Sequence, residues 1–278
     1  MKVEEYYYTF YPKLDLWSNE QIKFRDYETY FEAVFTNREN LSKWFMENHK
    51  TDEAKELAKE LFLQRKKRKQ LTFAPCQVEL RTIISPSVVG IEQMFGTYDA
   101  FLKIVDLKPR FNYSSFLSPK NEEIEVLIDT REQQPMSFSK SKVAKLDTGD
   151  YTAGKDHYCD VYVERKSVSD FFSTFYTVEN FKRVKKEFER AKELGFYLFV
   201  LIEDSLTNCL KFKTRFVRDT NLISHTFKNV RTIIEQYPAQ FVFCKNRAHM
   251  KDVILKILSL GDKAPEFDFE YLTETGRI

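Results

Sequence analysis

Apolar positions fall into two rhythms along this chain. Through residue 107 they recur at helical spacing. Tyr27, Tyr30, Phe31, Val34 and Phe35 fall at i, i+3, i+4, i+7 and i+8 behind Asp26 as a cap, and Leu41, Trp44 and Phe45 share one face of a second helix from Asn37. Ala54, Leu57, Ala58, Leu61 and Phe62 mark an amphipathic helix from Thr51, with acids in its first turn as the macrodipole prefers. Pro75 to Thr82, Pro86 to Phe95 and Thr97 to Leu107 suit three shorter helices. Beyond Pro119 the rhythm changes. Glu125 to Thr130 and Val161 to Lys166 are short apolar strands, and Phe196 to Glu203 is a continuous apolar run, as in a sheet covered on both faces. Between and after them, helices are marked by residues 168–176, by Phe181, Val184, Phe188 and Ala191 up to Gly195, by Ile223, Phe227, Val230, Ile234 and Tyr237, and by Met250, Val253, Ile254, Ile257 and Leu258. Gln240 to Cys244 is a further strand. This alternation predicts an α/β layered domain preceded by a small all-α region.

The partition that follows is an aromatic-rich helical segment at 1–50, a helical module at 51–113, a linker at 114–121, an α/β domain at 122–262 and a tail at 263–278. Residues 1–50 suggest no function of their own.

Charge sharpens the picture only where it is local. The formal net charge is +2, but residues 51–120 carry 12 basic against 8 acidic side chains, including the run Arg65-Lys66-Lys67-Arg68-Lys69. Five consecutive cations repel one another unless solvated or opposed by anions, so the run suits either a solvated helix end or phosphate contact. Cys76, Cys159, Cys209 and Cys244 form no CxxC pair, and His49, His157, His225 and His249 are equally dispersed, so neither a zinc site nor a disulfide framework is suggested. The longest apolar run, Phe196 to Ile202, is far short of a membrane span. The expectation is a soluble, intracellular protein of the cytoplasm, with no membrane and no nucleotide cofactor.

The candidate chemistry lies between Glu125 and Asp170. Asp129 ends one strand, Gly149-Asp150-Tyr151 follows, and Glu164-Arg165-Lys166 ends another. Side chains two apart on a strand share a face, so Glu164 and Lys166 point together and Arg165 points away. Carboxylates gathered in one place are driven towards protonation unless a cation sits among them. Asp129, Asp150 and Glu164 would fill part of an oxygen shell for Mg²⁺, waters completing it, with Mn²⁺ as substitute. Lys166 would orient water or neutralise a developing oxyanion.

Ile128-Asp129-Thr130-Arg131-Glu132, Gly149-Asp150, and Glu164-Arg165-Lys166 with three residues to Asp170 resemble the XPF-type structure-specific nuclease family, whose pattern is VDxRE, GD and ERKxxxD. The resemblance implies a restriction-endonuclease-like PD-(D/E)xK fold and a Mg²⁺-dependent endonuclease acting on DNA, with a homodimer through this domain as a further expectation. Arg131, Glu132, Arg165 and Asp170 would orient or support the site. That family commonly carries a C-terminal tandem helix-hairpin-helix; 17 residues follow Gly261, too few for it, so DNA targeting is expected from the N-terminal side. There, PS…FGTYDAFLKIVDLKPR is similar to the homing-endonuclease-associated repeat, with Tyr98 for its usual Trp and Asp106 for its usual Gly. Short helices with tight connections suggest a helix-turn-helix-like module. The similarity implies Ser87, Gly90 and Gln93 towards DNA bases and Arg81, Lys103, Lys108 and Arg110 near phosphates, and it suits a phage or mobile-element nuclease. Lys182, Arg183, Lys185, Lys186 and Arg190 form a second basic face beside the site. The competing reading is a non-catalytic DNA-binding adaptor built on a nuclease-like fold.

Overall fold

The computed structural model describes residues 43–82, 86–116, 124–212 and 222–278, leaving aside the side chains of Gln64 and Arg68. The helix expected around Tyr27 to Phe35 lies outside the described residues. The chain divides into two compact units, Met1–Tyr113 and Ser114–Ile278.

In the first unit, α1 spans Asp52–Lys69, capped by the Thr51 side chain, which accepts from the Ala54 amide. Ala54, Leu57, Ala58, Leu61 and Phe62 are buried, as their spacing predicts. Three short helices follow: α2 (Gln77–Thr82), α3 (Val88–Phe95), capped by Ser87, and α4 (Tyr98–Ile104), capped by Thr97. Tyr98 is buried and donates its hydroxyl to the Pro75 carbonyl at 2.9 Å, so the ring fills the core while its polar end stays satisfied. Asp106 sits at φ +51°, the left-handed region that favours glycine.

The second unit is a six-stranded sheet: β1 (Val126–Asp129), β2 (Ser141–Ala144), β3 (Tyr151–Ala153), β4 (Val161–Lys166), β5 (Tyr197–Ile202) and β6 (Ala239–Phe243), in spatial order β2-β1-β3-β4-β5-β6. β3 runs antiparallel to both β1 and β4, whereas β4, β5 and β6 are mutually parallel and β2 is parallel to β1. Helices α5 (Val168–Tyr176), α6 (Val178–Glu193), the short α7 (Leu206–Cys209), α8 (Leu222–Gln236), α9 (Arg247–Leu260) and α10 (Phe269–Glu274) complete the unit. Strand alternation sorts the core into two layers. Val161, Val163, Phe199, Leu201 and Val242 join the cluster of Met250, Val253, Ile254 and Ile257 from α9. On β6, Phe241 and Phe243 alternate with Val242 and meet Phe171 and Phe175 of α5, Phe188 of α6 and Phe227 of α8.

One strand goes unannounced by the sequence pattern, and one expectation changes. The edge strand β2 is exposed along most of its length and carries too few apolar residues to announce itself. Residues 263–278 are no tail: Phe269 is fully buried against Phe199, the Phe243 amide donates to Glu270 at 2.7 Å, and the Gln240 side-chain amide donates to the Phe267 carbonyl. Edge backbone and polar groups of β6 thus find their partners in this segment.

Candidate active site

The register brings the three motif boxes together. β3 pairs with β1 on one side and β4 on the other, so Asp129 at the end of β1, Asp150 just before β3 and Glu164 on β4 belong to adjacent strands. The Asp129 amide donates to the Asp150 carbonyl, and the Asp150 amide to that of Val163. Gly149 holds φ +66°, and a Cβ there would meet the Val163 carbonyl oxygen at 3.0 Å, so the turn that delivers Asp150 has room only for glycine.

Asp150 and Glu164 form the electrostatically strained pair. Burial and then the Glu164 charge push the Asp150 carboxyl up to about 8, even though its Oδ2 accepts from the Arg165 amide at 2.7 Å. Lys166 donates to Glu164 Oε1 at 2.9 Å, as the shared strand face requires. Burial alone would lower the Lys166 pKa, but Glu164 and Asp150 outweigh it and keep the ammonium charged. Asp150 Oδ1 and Glu164 Oε2 accept no hydrogen bond from any described residue.

Asp129 departs from the expected role. Its carboxylate is buried and accepts four donors: Arg131 N at 2.8 Å and Nε at 2.6 Å on Oδ1, Leu146 N at 2.7 Å and Arg131 Nη2 at 3.1 Å on Oδ2. Burial raises its pKa, but these donors win and hold it below the usual range. With its lone pairs occupied, Asp129 fixes Arg131 rather than facing an ion. Arg131 itself remains about two-thirds exposed. Glu132 pairs bidentately with Arg165, at 3.1 and 3.0 Å. Asp170 is exposed at the start of α5, accepting from Ser167 Oγ at 2.6 Å; no described contact ties it to Asp150 or Glu164.

Three residues escaped the sequence reading. Glu203, the first acid after the buried strand β5, accepts from Arg165 at 3.1 Å and from Arg247. Arg247 opens α9 and also donates to the Gln134 carbonyl. Glu187 of α6 has its carboxyl pKa raised by loss of hydration and then by Glu164, with Lys166, Arg183 and Arg131 opposing, which sets its charge beside the pair. Its signal was position: four residues after Arg183 and next to the buried Phe188.

Residues 128–257 match the family described as the ERCC4 domain. Over this stretch the chain is similar to an ERCC4 domain. The motif reading of an XPF-type, restriction-endonuclease-like nuclease domain preceded by a helical region therefore holds. No curated protein matches the chain. Among solved structures, XPF from Aeropyrum pernix is 18% identical, covering 49% of this chain and 64% of that one, with a TM-score of 0.37. XPF from Aeropyrum pernix in complex with DNA is 19% identical over the same shares, with a TM-score of 0.34. The chain thus spans under two thirds of the length of those proteins.

Outside the ERCC4 domain, the basic run is not the continuous phosphate-facing patch its sequence suggests. Arg65 is 5% exposed and donates to Glu79 at 2.5 Å and to the Phe73 carbonyl at 3.2 Å. Burial would raise the Glu79 pKa, but Arg65 and its neighbours bring it to about 2. Lys66 is held by the side chain and carbonyl of Asp106, and Lys69 adds to the field on Glu79. Lys67 is exposed. Helical geometry is the reason: successive residues point about 100° apart, so five in a row must surround the helix and some must enter the core. Arg110 lies over the rings of Phe73 and Phe111 rather than standing free. Gln93, Lys103 and Lys108 are exposed, Arg81 and Ser87 are partly so, and Ser87 is engaged as the cap of α3. On α6, Lys182, Arg183, Lys186 and Arg190 are exposed, and Arg190 lies 3.6 Å from Asp147.

Among the described residues no group of three or more His, Cys, Asp or Glu is placed to hold a metal ion. Two carboxylates do suit Mg²⁺, which keeps most of its waters and binds through one or two acids. Among the same residues no helix is long and apolar enough to cross a membrane.

Proposed function

We propose that this protein is a divalent-metal-dependent DNA endonuclease, with Mg²⁺, or Mn²⁺ in its place, held by Asp150 and Glu164. The observation that carries the reading is the pair itself: two carboxylates pressed together, one raised to about 8, with an unused oxygen on each. A bound divalent ion would stabilise charge on the phosphodiester and acidify an attacking water. Around it, Lys166 keeps its proton and presents a cation to the developing oxyanion. Arg131, gripped by Asp129 and open to solvent, supplies a second cation for a phosphate oxygen. Asp129, Glu132, Arg165 and Asp170 act by support, each through the contacts described above.

The partition into a helical module at 51–113 and a nuclease domain continuing to 278 belongs to the same reading, with the module as the DNA-binding part. Gln93 of α3 is its candidate base reader, and Lys67, Lys103 and Lys108 its candidate phosphate contacts. The left-handed Asp106, standing where the homing-endonuclease-associated repeat keeps glycine, supports that likeness. A DNA substrate implies an intracellular location and a role in repair, recombination or mobile-element biology. A homodimer through the nuclease domain completes the proposal. The test is nicking of supercoiled plasmid, and cleavage of linear, nicked, flap and branched duplexes, with Mg²⁺ or Mn²⁺ against EDTA. Metal-dependent cleavage is expected. Binding without cleavage under every condition would favour the adaptor reading.

A further inference from the structure

β4 presents its last residues to opposite sides: Glu164 and Lys166 to one face, Arg165 to the other, which α9 covers. Following Arg165 outward traces a closed circuit. Its Nε and Nη2 donate to both oxygens of Glu132, and its Nη1 donates to Glu203. Glu203 also accepts from Arg247, Arg247 donates to the Gln134 carbonyl, and the Gln134 amide returns to Glu132 at 2.6 Å. Four charges alternate in sign around the ring, and Glu132 and Arg165 are nearly removed from solvent, their side chains 4% and 11% exposed.

Arg247 is placed against local preference. It is the first residue of a 14-residue helix, where the macrodipole disfavours a cation. A residue that breaks a local rule is expected to be compensated elsewhere, and here the compensation is Glu203 and the Gln134 carbonyl. The ring touches the carboxylate pair at one point, since the Arg165 amide donates to Asp150 Oδ2. The circuit therefore ties the loop after β1, the ends of β4 and β5 and the start of α9 to the position of Asp150.

We infer that Arg247 and Glu203 are positioning residues of the nuclease site, closing a charge ring that fixes Glu132, Arg165 and through them Asp150. This inference rests on the nuclease reading. Without Arg247, Glu203 is left to compete with Glu132 for Arg165, and the loop carrying Glu132 loses its tether at Gln134. Lysine at 247 keeps the charge but cannot fork between the Glu203 carboxylate and the Gln134 carbonyl.

The experiment compares full-length protein with Arg247→Ala, Arg247→Lys and Glu203→Gln, in single-turnover cleavage of a duplex over a range of enzyme concentration. Deuterium exchange over residues 130–137 is measured in the metal-free protein alongside. Arg247→Ala should lower the maximal rate about tenfold or more, with half-saturation by DNA and the melting temperature little changed, and should speed exchange in that loop. Arg247→Lys should recover part of the rate, and Arg247→Ala combined with Glu203→Gln should be no worse than the poorer single variant. Unchanged rate and exchange in Arg247→Ala beside an active wild type would overturn this inference alone. Loss of half-saturation or melting in proportion to rate would make Arg247 a DNA contact or a structural brace, which also overturns it. A wild type without cleavage would remove the nuclease reading and this one together.

Discussion

The helical unit and the ERCC4 domain both concentrate charge, and they use it in opposite ways. In the helical unit the described cations of the conspicuous run face different surroundings, with Arg65 turned inward to a buried partner and Lys67 exposed. In the ERCC4 domain Asp150 and Glu164 belong to separate stretches of sequence, yet the sheet gathers them beside Lys166. Adjacent charges on a helix diverge, while distant charges at neighbouring strand ends converge. Proximity in sequence is therefore a poor guide to a shared surface, and strand-end position a good guide to where distant charges meet.

That contrast can be broken most sharply at Lys166. If its role lies in the transition state, Lys166→Ala should lower single-turnover cleavage about 10³-fold while divalent-ion binding, followed by calorimetry, stays within a few-fold. Equal loss of ion affinity would make the lysine part of the ion site instead. In the helical unit the corresponding prediction concerns stability. Arg65→Ala strands a buried Glu79 and should destabilise the unit by roughly 3 kcal/mol in chemical denaturation, whereas Arg65→Met with Glu79→Leu should lie close to wild type. An Arg65→Ala protein of undiminished stability but weakened DNA binding would restore Arg65 to the phosphate contacts.

A smaller effect is expected from pH. The folded Asp150 pKa lies above its unfolded value, so its proton favours the folded state. This contribution is fully present below about 4 and fades as pH rises through about 8. In EDTA, the melting temperature of Asp150→Asn should gain on wild type steadily between pH 5 and 8, and Mg²⁺ should shrink that gap by stabilising wild type. Parallel melting curves for the two proteins would remove the strained pair. The smallest effect belongs to single surface residues. Lys67→Ala should reduce the salt slope of DNA binding by about 1 without changing sequence preference, while Gln93→Ala should change preference and leave the slope. The reverse result would exchange their roles.

Much of this was legible in the sequence because period carries burial. The stripe from Ala54 to Phe62, the alternation of Glu164, Arg165 and Lys166, and the apolar run of β5 all lie as their spacing requires. The glycine before Asp150 was legible as a motif, and the left-handed turn with no room for a side chain supplies its reason. What stayed hidden depended on partners distant in sequence. Asp129 has the side chain of a metal ligand, and only the Leu146 amide and the returning Arg131 fork reveal that its lone pairs are taken. Residues 263–278 are polar enough to pass for a tail until the amide of Phe243 is found bonded to Glu270. Arg247 opens its helix against the macrodipole, a local oddity in the sequence, but nothing local ties it to Glu203.

The proposed ion-binding pair of Asp150 and Glu164, serving phosphodiester cleavage, stands or falls with Glu164→Gln. Wild type and variant are compared for Mg²⁺-dependent cleavage of labelled duplex, with DNA affinity measured on the same samples. The variant should lose cleavage by at least about 10³-fold, added Mg²⁺ or Mn²⁺ should not rescue it fully, and DNA affinity should stay within a few-fold of wild type. Cleavage at the wild-type rate by Glu164→Gln would contradict the proposal.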